Sequence, residues 1–293
     1  MPKNHLEFAP TEWAGHGSHF VGACFDEAKP YLDKDFTGLP LLTRFVAAQL
    51  FIECTSTSIS SLILVAEGKE WDADVLSRSV MEGTIKFAYM LLGTQEEIVR
   101  KTEEYWNILP QFSEIRHNYR AAALLDEDAL PEHHRTILTD LLIENDVVEE
   151  TGKSWSRAQR KSMQQTWSLT GLLNEFANSN DSNLQLLRHL SHGYGMSSHL
   201  LHKDADGVGM VLERSQRSSE RKAAVTIGHM ARIISDQCAF AKLRLHFLFK
   251  ACDQKNDAIK NIEHEFRSLF VNLKNASDNF QNVEYGEHGV NEI

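Results

Sequence analysis

No proline follows Pro131, and nowhere along the chain do apolar and polar residues alternate over the length of a strand. Proline interrupts helices, and alternation marks a half-buried strand. A proline-free stretch with apolar residues three and four apart therefore confines the fold to helices packed on helices. Four of the six prolines lie within residues 1–40, which read as an irregular leader with one short helix around Ala23 to Leu32. The spacing then predicts helices over Leu41 to Glu67, Ala73 to Leu92, Thr94 to about Leu109, a stretch after Pro110, a stretch from Pro131, Ser168 to Asn178, Ser182 to Leu201, Ser218 to Cys252 and Ala258 to Leu273. Residues 146–166 read as a basic, Trp-containing loop with a short helix, ADGVG at 205–209 as a loop, and 276–293 as a disordered polar tail. The expected fold is all-α: a single-domain multi-helix bundle with long antiparallel helices, spanning residues 41–275.

The stretch Ala73 to Leu92 organises the rest. Arg78, Glu82 and Lys86 recur at four-residue steps and share one stripe of a helix whose other positions are largely apolar. A partly buried arginine needs a partner. A matching polar set lies in Tyr194 to Asp204, where Tyr194, Ser198 and His202 are also four apart and His199 precedes His202 by three. Together Arg78, Glu82, Tyr194, Ser198, His199 and His202 form the candidate site. In a metal-free scheme His202 is the acid/base, Arg78 holds phosphate and Glu82 orients Arg78, which suits RNA cleavage, where the 2′-hydroxyl is the nucleophile. A His-x-x-His step also permits a metal on His199, His202 and Glu82, although no His-Glu-x-x-His or Glu-x-x-His pair is present. No cofactor-binding motif is found. The bland alternative is an interaction bundle whose polar cluster fixes the register of its helices.

The formal charge of −11 argues against a protein that coats nucleic acid or anionic membrane with its whole surface, but leaves room for local basic patches such as Lys153, Arg157, Arg160 and Lys161. With Trp155 and Trp167 those residues suit either a nucleic-acid strand or a lid. Cys24, Cys54, Cys238 and Cys252 lack metal-finger spacing and read as reduced, buried thiols of a cytoplasmic protein, with no membrane span expected. RNA, a nucleotide, a protein partner or a second copy of the chain all remain open as partners.

LSRSVMEGTIKFAYML (76–91), YGMSSHLLHKD (194–204) and Gly152-Lys-Ser-Trp155-Ser are similar to three short motifs of a bacterial family known as domain of unknown function 5677. The likeness covers roughly residues 41–252 and implies an all-helical bacterial protein without an established activity. A looser likeness to the HEPN ribonucleases implies an Arg/His site for RNA cleavage in phage defence or stress response, with Arg78 in place of that family's local arginine.

Overall fold

The computed structural model describes residues 9–126, 130–142, 151, 153–179, 184–185 and 187–286, with only the backbone for 188, 191–194, 196 and 197. Its helices are α1 (Ala9–Leu32), α2 (Leu41–Ala66), α3 (Glu70–Met90), α4 (Gln95–Glu103), a π-helical turn (Glu104–Ile108), α5 (Leu109–Leu125), α6 (Glu132–Asp140), α7 (Arg157–Thr166), α8 (Leu169–Ala177), a 3₁₀ turn (Leu187–His189), α9 (Leu190–His202), α10 (Ala205–Gln216), α11 (Ser219–Ala251), α12 (Asp257–Glu265) and α13 (Arg267–Tyr285). No strand occurs among the described residues, and the protein is an all-α, multi-helix bundle.

Helices α1, α2, α3 and α11 pack on one another, and α13 lies along α11. Phe20 and Val21 of α1, Phe51 and Leu62 of α2, Ile85 and Phe87 of α3, and Ile233, Ile234, Leu245 and Leu248 of α11 are almost completely buried and form the core. Among the described residues only α2 is long and apolar enough to cross a membrane by length and composition. Its Val46, Ala47, Phe51 and Val65 are buried in the bundle, which is compatible with a core helix of a soluble protein. All four cysteines are free and buried, and burial pushes the Cys24 and Cys252 thiols up to about 12.

A polar seam threads this core. Cys54 and Ser61 on α2, Ser77 and Thr84 on α3, and Gln237 and Arg244 on α11 are each seven residues apart, two full turns of helix, so they face inward at two levels. Arg244, wholly buried, donates to Thr84 Oγ1 at 2.7 Å and lies 5.3 Å from the Phe51 ring. Gln237 donates to Ser61 Oγ at 3.5 Å.

Several sequence expectations need correction. Most of the supposed leader 1–40 is α1, a 24-residue core helix. Gly17 on this helix serves a close contact: a Cβ there would sit 3.0 Å from Ile234 and 3.4 Å from Leu62. Pro110 does not separate two helices, because the π turn shifts the backbone register and the chain continues into α5 with Pro110 in its first turn. The short helix expected within 146–166 is present, as α7 over residues 157–166, capped by Ser156 and Gln159; residues 146–150 and 152 lie outside the described residues. ADGVG is the first part of α10: Asp204 accepts from the Gly207 N–H at 3.0 Å, and Gly207 has no Cβ to clash with the His199 carbonyl 2.3 Å away. The expected last helix is two, α12 and α13, and the helix continues through much of the supposed tail, to Tyr285; residues 287–293 lie outside the described residues.

Candidate functional site

The stripe of α3 is present: Glu82 accepts from Lys86 Nζ at 2.9 Å, one turn on. An i,i+4 pair in this polarity is the favourable one on a helix. Helix α9 packs against α3, so the two sequence motifs do meet as helices. Ser198 is half-buried on α9, whereas the side chain of Tyr194 lies outside the described residues. His199 turns away from α3: its Nδ1 is 2.7 Å from Asp204 Oδ2, and that bond holds its pKa above the ordinary value. His202 is exposed at the end of α9. The metal set expected from sequence is not assembled; among the described residues the donor atoms that cluster within 4.8 Å are those of His199, Asp204 and Asp206. That group is largely exposed, and Asp204 is already engaged in capping α10.

The other end of the stripe opens on a groove of about 530 Å³ whose walls include Lys86, Tyr105, Trp106, Arg116, Gln164 and Trp167. Its floor is aromatic. Trp167, 4 % exposed, meets Tyr89 edge-on at 5.0 Å and lies 5.3 Å from Tyr105. The Trp167 indole N–H donates to Glu104 Oε2 at 3.0 Å, which pins the ring across the π turn. Trp106 is 39 % exposed and braced edge-on by Phe45 at 5.3 Å, so one aromatic platform stands at the rim. Tyr105 and Trp106 both lie on the π turn, whose extra backbone unit rotates side chains out of regular helical register.

Cations frame these rings. Lys86 lines the groove from α3 and Arg116 from α5, where Arg116 donates to Ser113 at 3.1 Å. Helix α7 contributes Gln164 to the wall and carries Arg157, Arg160 and Lys161 on its surface. Between Tyr105 and Leu125 the only carboxylate is Glu114, and between Lys153 and Asn174 there is none. These two segments are thus locally basic in an acidic chain, while Glu82, bonded to Lys86, and Glu104, bonded to Trp167, are the carboxylates beside the groove. Trp155 does not share it, packing instead on Phe112 at 5.9 Å.

A second concavity of about 540 Å³ lies between α3, α10, α11 and α13, and sequence reading missed it. At its base His229 Nε2 is 3.2 Å from Asp74 Oδ2, and His229 Nδ1 is 2.8 Å from Arg214 Nη1. A guanidinium can only donate, so Nδ1 must accept, and the ring proton sits on Nε2 and is given to Asp74. His229 is therefore neutral in this arrangement, and burial, outweighing Asp74, holds its pKa below the ordinary value. Arg232 donates to the other Asp74 oxygen at 2.9 Å. Burial favours the neutral carboxyl of Asp74, but these bonds outweigh it and keep its pKa low. Arg217 pairs with Glu213 at 2.8 Å and Glu284 at 2.7 Å. Comparison with protein-family models, with curated proteins and with solved structures finds no match to the chain.

Proposed function

We propose that the protein binds single-stranded RNA, with bases stacking in the groove at the π turn and phosphates meeting Lys86, Arg116 and the cations of α7. The observation that supports this reading best is the half-exposed Trp106 beside Tyr105 and Trp167, with a lysine and an arginine in the same wall. Aromatic platforms in a basic channel are how proteins hold unpaired strands, since every base offers a π-face and every nucleotide a charge. The volume of about 530 Å³ is within the range that accommodates a nucleotide-sized ligand. In the cleaving version of this reading the exposed His202 acts as acid/base and Arg78 holds phosphate, and the protein serves in defence or stress response as the likeness to the HEPN ribonucleases implies.

Binding is tested by fluorescence anisotropy of an end-labelled oligouridylate titrated with purified protein at low salt. Saturable binding that weakens as salt rises is expected. With about three phosphate contacts, log K should fall by about 2 per tenfold rise in salt. Absence of binding at low salt would overturn the reading. Cleavage is tested separately: His202→Ala should abolish it, and unchanged cleavage would remove His202 from the scheme.

A second reading, an interaction bundle, draws support from a different surface. Val208, Val211 and Leu212, on one face of α10, are 55 %, 41 % and 57 % exposed, and Leu201 beside them is 45 % exposed. Polar substitution of all four without change in RNA affinity, but with loss of a co-purifying partner, would favour that alternative.

A further inference from the structure

The cleft between α3, α10, α11 and α13 holds three guanidinium groups, and one of them is partnered unlike the others. Arg217 is paired with Glu213 and Glu284, and Arg232 with Asp74 and Asp236. Arg214 instead donates to the neutral imidazole of His229 and lies over Trp71, its guanidinium carbon 4.1 Å from the ring centroid. Among the described residues no carboxylate is within ion-pair distance of it. The relay Asp74–His229–Arg214 fixes this guanidinium, Glu70 and Glu213 act on it only at longer range, and the cleft of about 540 Å³ opens beside it. The same cleft has an apolar side made by Leu200, Met210, Val225 and Phe280.

We propose that this cleft is a binding site for a small apolar monocarboxylic acid, its carboxylate taken by Arg214 and its hydrocarbon body laid against Leu200, Met210, Val225 and Phe280. A planar guanidinium held on one edge and one face still presents the paired N–H groups that match a carboxylate. A ligand with one charge suits the site better than one with two, because Asp74, Glu213 and Glu284 line the same cleft and Arg214 is the guanidinium there with no direct carboxylate pair. A phosphate dianion would bring a second charge close to those carboxylates, while Arg217 and Arg232 are already paired with them. His229 is here a positioning residue, and Arg214 is the group that touches the ligand.

The test is isothermal titration of the full chain with decanoate, decan-1-ol and decyl phosphate. Saturable, one-to-one decanoate binding is expected, with the alcohol and the phosphate at least about tenfold weaker. Arg214→Met should weaken decanoate by about tenfold to a hundredfold, as for loss of a charge-assisted pair, while Trp106→Ala in the distant groove leaves it unchanged. Equal affinity for decanoate and decan-1-ol, full affinity in Arg214→Met, or no saturable binding at millimolar decanoate would each overturn the proposal. Should Arg214→Met fail to fold, Met210→Trp fills the apolar side instead. It should abolish decanoate binding with an unchanged circular dichroism spectrum, and retained binding would count against the site. Decanoate binding and oligouridylate binding are read on different variants, so either can fail without the other.

Discussion

The groove at the π turn and the cleft around His229 have nearly the same volume, about 530 and 540 Å³, but the cations of the two are tied down differently. In the groove the cations are bonded to near neighbours: Lys86 to Glu82 four residues away and Arg116 to Ser113 three residues away. In the cleft, beside the local pairs Arg217–Glu213 and Arg232–Asp236, bonds cross the molecule, from His229 to Asp74 over 155 residues and from Arg232 to Asp74 over 158. A local surface pair is worth a few tenths of a kcal/mol and exchanges readily with solvent or a ligand. A buried pair between distant helices fixes how those helices sit, and breaking it strands a charge in the interior. The groove can give up its contacts to a ligand; most of the cleft cannot, and Arg214 is the exception.

The most severe test of this contrast is Asp74→Ala. It leaves the His229 N–H and one Arg232 N–H without their acceptor, and about 3 kcal/mol of stability should be lost in chemical denaturation, with RNA affinity unchanged in the folded fraction. Loss under about 1 kcal/mol would mean that the cleft's long-range bonds do not hold the bundle. Trp106→Ala should do the reverse. It should cost about 2 kcal/mol of RNA binding, roughly thirtyfold, with little change in melting temperature.

Acid sharpens the comparison. His229 has a folded pKa below its unfolded value near 6.5, so between the two values the unfolded chain holds a proton that the folded chain refuses. Stability from the neutral ring is complete above about pH 6.5 and declines as pH falls, at up to about 1.4 kcal/mol per pH unit. The charged groups facing the ring are Asp74, which favours the proton, and Arg214 and Arg232, which oppose it. Protonation also removes the Nδ1 lone pair that Arg214 needs. His229→Gln should therefore lose less stability than the parent between pH 7 and pH 5 in urea titrations; parallel curves would contradict the tautomer assignment. The smallest effect is expected for Lys86→Ala. It should cost under about 0.5 kcal/mol of stability, since its pair is local and part-exposed, and should reduce the salt slope of RNA binding by about 0.7.

The same difference in sequence distance explains what the chain made legible. The stripe Arg78–Glu82–Lys86 was readable because it is local. The cleft was not: nothing within ten residues of Asp74 points to His229, and only the packing of α3 on α11 brings them together. Glycine misled at ADGVG, where Gly207 read as part of a loop, yet it is a place where two helices come close enough that a Cβ would collide. The groove stood half in view. Trp167 and the basic run before it were singled out, but Trp106 gains its place only through the π turn, which has no sequence mark beyond Pro110 at its exit. For the expected site, α9 does meet α3, but His199 is bonded to Asp204 and His202 faces solvent, details set by side-chain direction rather than spacing.

The most direct measurement is photo-cross-linking of the full chain to an oligouridylate carrying 4-thiouridine, followed by mass-spectrometric mapping of the adducts. Adducts at Trp106, Tyr105 or the neighbouring α7 segment, lost in Trp106→Ala and in high salt, are the expected result. Adducts confined to the cleft around Trp71, or no adduct at saturating oligonucleotide, would contradict the assignment of the groove.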